Sequence, residues 1–142
     1  MAQRQLRPRM IALDSNVFIY IFEHNETFGD AAETTLKRAH ERGDGICLST
    51  LVLTEILSGS DEPRIIDFFQ DKAFSFYDVT TEVAALAGSL RFKHPALRTA
   101  DALHLATALQ AGAKQFVTND RQLCNLRLSL ELDVVPLTEF AK

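Results

Sequence analysis

The 142-residue chain has little of what marks several large classes of protein. It holds two cysteines, Cys47 and Cys124, with no C-x-x-C spacing, which excludes a disulfide scaffold and leaves both as small buried hydrophobes in a reducing cytosol. Four prolines and six glycines are too few for a collagenous or low-complexity chain. The longest purely apolar run, residues 17–22, is far too short to span a bilayer, and no charged-then-apolar leader opens the chain. The expectation is a cytoplasmic protein without membrane contact. Positive charge is also short: 19 acidic against 15 basic residues leave a net charge of −4, which argues against gripping nucleic acid through bulk positive charge. If four of those acids occupy one cationic site, the remainder is neutral, and local basic strips can still hold phosphate.

What is present is an ordinary globular composition, 46% hydrophobic and 24% charged, at a length that makes one domain. A chain of this size buries roughly 68% of its unfolded surface and needs no staples. Residues 1–9, with Arg4, Arg7, Pro8 and Arg9, read as a flexible basic arm, and 10–142 as a single domain. Hydrophobic periodicity predicts strands over 10–13, 46–49, 74–79, 115–118 and 134–137. It predicts helices over 17–23, 30–42, 51–57, 63–71, 82–92 and 99–111, the last closed by Gly112. Alternation of this kind implies an α/β fold, a mostly parallel five-stranded sheet covered by helices on both faces.

Open α/β sheets bind ligands beyond the carboxyl ends of their strands, so the polar residues just after strands carry most information. Asp14 follows the first strand, and Asp120 follows Thr118-Asn119 at the end of the fourth. Either acid alone also fits a plain strand-to-helix turn, with Asn16 capping a helix from Val17. The helix over 99–111 is apolar nearly all round except for Asp101, His104 and Thr107, a thin stripe that lines a polar cleft or, for Asp101, merely suits the helix dipole. Glu55 stands on the polar face of an amphipathic helix, the usual place for a solvated glutamate.

Together the four acids say more. Two carboxylates 4 Å apart repel by about 4 kcal/mol at an effective dielectric near 20, so a cluster of Asp14, Glu55, Asp101 and Asp120 must protonate, spread or hold a divalent cation. Oxygen donors alone suit Mg²⁺ or Mn²⁺ better than Zn²⁺. The set Asp14-Ser15-Asn16, Thr54-Glu55, Thr99 through Ala108 around Asp101, and Thr118-Asn119-Asp120 resembles the PIN-domain ribonucleases, specifically the VapC type of toxin from toxin-antitoxin pairs. The resemblance runs from Met10 to about Leu137. It implies a three-layer PIN-like fold, Mg²⁺- or Mn²⁺-dependent cleavage of RNA, a homodimer, and a small cognate antitoxin as partner. It also implies that Asp14, Glu55, Asp101 and Asp120 hold the metal and that Asn16 and Thr118 support them.

Arg91, Lys93, His94 and Arg98, with Arg121 and Arg127, are candidates for RNA backbone contact, though a solvated loop accounts for them as well. His104 reads as a partly buried histidine bonded to a neighbour, since Mg²⁺ prefers oxygen. Phe68, Phe69, Phe74 and Phe76 read as core, with a dimer or antitoxin groove as the other use. A phosphatase of the haloacid dehalogenase type requires a second Asp two residues after the first, where this chain has Asn16. A phospho-receiver module wants a paired acid near the first strand and a Lys after the last, and no G-x-x-x-x-G-K allows a phosphate loop. The remaining rival is a PIN-like fold that binds RNA or protein without cutting.

Overall fold

The structure is a computed structural model that describes residues 9–59, 63–126 and 131–142. Arg4, Arg7 and Arg127 lie outside the described residues. Five strands, β1 (Met10–Leu13), β2 (Gly45–Ser49), β3 (Phe74–Tyr77), β4 (Gln115–Thr118) and β5 (Asp133–Pro136), form one sheet in the order β3-β2-β1-β4-β5. Every pairing is parallel, which goes one step beyond the mostly parallel expectation.

Period-two alternation along the strands divides the core. Ile11, Leu13, Ile46, Leu48 and Val117 face one side, beneath α1 (Ser15–Phe22), α2 (Gly29–Arg42), α3 (Leu51–Leu57), α4 (Pro63–Phe68) and α8 (Leu137–Phe140). Ala12, Cys47 and Phe116 face the other, beneath α5 (Thr81–Lys93), α6 (Thr99–Gln110) and α7 (Arg121–Asn125). The result is three layers. The four phenylalanines expected in the core pack there: Phe18 meets Phe69 edge to face with ring centroids 4.9 Å apart, and Phe68, Phe74 and Phe76 complete the cluster.

Element boundaries differ where a side chain takes over a backbone hydrogen bond. Helix α1 starts at Ser15 and not at Val17, because Asp14, not Asn16, is its cap: Asp14 Oδ1 accepts from Ser15 N at 2.8 Å. Helix α4 stops at Phe68, and Asp71 Oδ1 then accepts from Ala73 N at 2.9 Å in a turn that feeds β3. Strand β3 ends at Tyr77, because Thr80 caps α5 by accepting from Val83 N at 3.2 Å. Helix α6 ends at Gln110, with Gly112 just beyond at φ 78°, the left-handed geometry glycine tolerates. Strand β5 sits one residue early, and Leu137 opens α8, a turn too short for periodicity to predict. Arg9 belongs with the sheet and not with an arm: its carbonyl accepts from Gly45 N at 2.8 Å, and its guanidinium bonds Gln115. Cys47 is buried as expected, whereas Cys124 is only half-buried.

Candidate functional site

Strand β1 is central, and the chain builds outward from it to β2 and β3 before crossing back to β4 and β5. The order therefore reverses between β1 and β4, the place where open sheets leave a crevice for ligands. Asp14 directly follows β1, and Thr118 ends β4 beside it, their strands paired in parallel register.

Asp14 is buried at 6% exposure. Its Oδ1 accepts from Ser15 N at 2.8 Å, and its Oδ2 accepts from the Thr118 hydroxyl at 2.7 Å. Burial pushes its carboxyl above the ordinary carboxylate range, and the Asp101 charge adds to the push, while Thr118, His104 and Ser15 N–H pull against it. Thr118 is fully buried and works as a hub. Besides donating to Asp14, its oxygen accepts from Asp120 N at 3.0 Å and, at 3.5 Å, from Asn16 Nδ2. Asn16 Oδ1 is buried with no partner among the described residues. Thr118 thus stands beside Asp14, and Asn16 reaches the site through Thr118.

Asp120 caps α7, accepting from Gln122 N at 2.9 Å through Oδ1. Asp101 lies in the first turn of α6, buried at 9% exposure. Both face one cation: Arg98 Nε donates to Asp101 Oδ2 at 3.0 Å, and its Nη2 lies 3.7 Å from Asp120 Oδ2. The bond to Asp101 comes first among the causes that hold the Arg98 guanidinium above its ordinary value. Glu55 reaches in from α3 and bonds His104 Nε2, one turn beyond Asp101 on α6. His104 donates a bond that holds the Glu55 carboxyl below its ordinary range against its partial burial. Burial pulls the imidazole of His104 down, but the bond to Glu55 and the charges of Asp14, Glu55 and Asp101 outweigh it and hold it above its ordinary value. Thr107, the third residue of the stripe, turns inward and donates to Leu103 O at 2.8 Å, so it lines nothing.

The structure therefore spreads the four acids around two counter-ions. Among the described residues, no three His, Cys, Asp or Glu side chains stand close enough together to hold a metal ion as placed. The donor chemistry nonetheless fits a hard divalent cation, because every candidate donor is oxygen. The four carboxyl groups outnumber the cationic groups beside them, Arg98 and, when protonated, His104, and Asn16 Oδ1 is a buried acceptor without a donor among the described residues.

Sequence reasoning treated His104 as a neighbour-bonded histidine, which it is, but did not place it against Glu55. Its signal was the three-residue step from Asp101, which puts both on one helix face. Arg98, an RNA-contact candidate, pairs with the site acids, and its step of three before Asp101 was the corresponding signal. Arg91 Nε donates to Leu97 O at 3.0 Å and braces the turn between α5 and α6. Lys93 ends α5 and Arg121 opens α7; both are exposed.

The PIN domain family model matches residues 11–128. Ribonuclease VapC23 of Mycobacterium tuberculosis is 28% identical over 123 residues, an alignment that covers 82% of this chain and 97% of that protein. A chain in the crystal structure of VapBC2 from Rickettsia felis, bound to a DNA fragment from their promoter, superposes with a TM-score of 0.69 at 19% identity, covering 89% of this chain and 98% of that one. A chain of a toxin-antitoxin complex from Klebsiella pneumoniae gives 0.64 at 20% identity, covering 86% and 94%. At those identities the two structures share the fold.

Proposed function

Since the chain belongs to the PIN domain family, we propose that it is an endoribonuclease dependent on Mg²⁺ or Mn²⁺ and the toxin of a toxin-antitoxin pair. The observation that carries this reading is that Asp14, Asp101, Asp120 and Glu55 stand around Arg98 and His104 beside the crevice where the strand order reverses, and outnumber those two groups. A structural cluster would be neutralised from within, whereas one that handles phosphodiesters benefits from a deficit that a divalent cation fills. The likeness to Ribonuclease VapC23 supports the ribonuclease activity, and the likeness to chains from toxin-antitoxin complexes supports an antitoxin partner. The same reading implies a cytoplasmic protein that works as a homodimer.

Asp14, Asp101, Asp120 and Glu55 are the residues that would hold the metal. When bound, such an ion lowers the pKa of water and offsets charge on phosphate oxygens. The chain's own residues do the positioning. Thr118 donates to one oxygen of Asp14, and Ser15 donates to the other through its N–H at 2.8 Å and its hydroxyl at 3.4 Å, which fixes the orientation of the carboxyl group. Thr118 also fixes the backbone of Asp120, so one hydroxyl sets the spacing of two carboxylates contributed by different strands. His104 locks the Glu55 carboxylate. Arg98 spends Nε on Asp101 and Nη2 on Asp120, and its largely exposed guanidinium keeps Nη1, which has no bond among the described residues, for the RNA phosphate that the acids alone would repel.

The test is cleavage of total RNA by the purified chain with Mg²⁺ and with EDTA, with new ends mapped. Asp101→Asn is expected to lose cleavage by 100-fold or more, roughly the scale of a lost electrostatic contact to the reacting group, while keeping its circular dichroism. Cleavage indifferent to EDTA, or undiminished in that variant, refutes the mechanism. Expression without a partner is expected to arrest growth, and normal growth at high soluble expression refutes the toxin assignment.

A further inference from the structure

A cavity of about 300 Å³ lies between α6 and α7, and the part of it beyond the acids has no role in the chemistry above. Leu97, Leu123 and Leu126 give it apolar walls, and Gln122 and Asn125 are its amide-bearing lining residues. Arg98, Asp101 and Asp120 form the side it shares with the carboxylate site, and Ala96 stands at its exposed rim in the turn before α6. We propose that this cavity receives one unpaired nucleobase of the RNA, from a nucleotide beside the scissile phosphate; this rests on the ribonuclease reading above.

Three features select that occupant. The volume is at the small end of the roughly 300–1,000 Å³ typical of small-molecule sites, enough for a single base and too small for a peptide helix or a paired duplex. The lining is of the kind that holds a splayed-out base, with apolar side chains against the ring faces and a few amides for its polar edge. Asp101 and Asp120 at the mouth repel an anion, so the cavity suits the neutral base, while the phosphate of the same strand has the free donors of Arg98 next door. A base can enter only when it is neither paired nor stacked, which restricts the substrate to single-stranded or looped RNA.

The experiment starts from a single-stranded RNA whose cut position has been mapped with the full chain and Mg²⁺. An abasic residue is then placed at each nucleotide flanking the cut. One of the two substitutions is expected to lower kcat/KM by about tenfold or more, the loss expected when one hydrogen-bonded base edge goes. Ala96→Trp, which fills the cavity from its rim, is expected to cut intact RNA as slowly as the wild type cuts the abasic one, and to be insensitive to the abasic substitution. Asn125→Ala, on an exposed side chain, is expected to alter which base is preferred there, which keeps the test valid if the larger replacement disturbs folding. As a readout independent of turnover, nucleoside 5′-monophosphates titrated in EDTA are expected to shift the methyl resonances of Leu123 and Leu126 in the wild type and not in Ala96→Trp. RNA that is cut equally with and without either base, together with unmoved leucine methyls, overturns this inference alone. Absence of cutting of any RNA with Mg²⁺ or Mn²⁺ overturns the ribonuclease reading beneath it.

Discussion

Asp14→Asn should abolish cleavage and, in the absence of divalent metal, make the protein more stable. Asp14 is buried, and its carboxyl is held above the ordinary value of 3.8 because ionisation there is disfavoured. The substitution removes the charge while the hydrogen bonds can survive by inversion. Ser15 N still meets an oxygen, the new amide nitrogen donates to Thr118, and a flip of the Asn16 amide, which now points Nδ2 at Thr118, lets the hydroxyl donate to Asn16 Oδ1. Asn is also as good a helix cap as Asp. Relief of functional-site strain of this kind is commonly worth about 1 kcal/mol, which for a chain of this length raises the melting temperature by about 3 °C. Metal should reverse the order: at a hundredfold excess over Kd it stabilises the wild type by about 2.7 kcal/mol and the variant far less. The pH dependence has a definite sign. A carboxyl with a raised folded pKa binds more protons folded than unfolded, so stability falls as pH rises from about 3.8 through the folded value. The advantage of the variant is therefore full above the folded value and vanishes below about 3.8. Thermal melts in EDTA and in Mg²⁺ across pH decide the matter, and a variant whose advantage in EDTA does not grow as pH rises above 3.8 refutes the reasoning.

Thr118→Val keeps the shape of the hub but leaves Asp14 Oδ2 and Asp120 N short of a partner, so urea unfolding should show a loss of about 1–3 kcal/mol. Glu55→Gln should let the imidazole of His104 titrate at lower pH by NMR, since the charge that holds it up is gone and only a neutral amide acceptor remains; an unchanged titration would show that Glu55 does not set it. In the wild type, the pair should contribute to stability from above the ordinary Glu value of 4.5 until pH rises through the raised pKa of His104. Burial pushes the Cys47 thiol up to about 12, so alkylation should reach it only on unfolding, and the half-buried Cys124 should react first.

The sheet could be read from the sequence because its strands are short apolar runs bounded by turn residues, and parallel pairing follows once helices separate them. What periodicity missed were ends set by single side chains. Asp14, and not Asn16, took the cap of α1 because its carboxylate is held in place from the other side by Thr118, a residue 104 positions away in sequence. The one-residue shift of β5 has a similar origin. Pairing of Thr118 with Pro136 fixes where the strand stops, and Leu137 then packs into the core as the start of a helical turn.

Asp14 and Asp120 could be read together for a topological reason: the ends of β1 and β4 must lie side by side if the strand order reverses there. Arg98 and His104 were less legible, because Arg98 meets Asp120 only once α7 is in place, and His104 meets Glu55 only through the approach of α3 to α6. That approach explains why Glu55, the least distinctive of the four acids in sequence, is held in the site. A buried imidazole needs an acceptor, and α3 is the element that carries one to it. Arg98 and His104 also solve the problem four gathered carboxylates pose, since without them each added acid would raise the pKa of the rest. They solve it only in part, because the four carboxyl groups outnumber the two groups that face them, and a divalent cation would make up the difference.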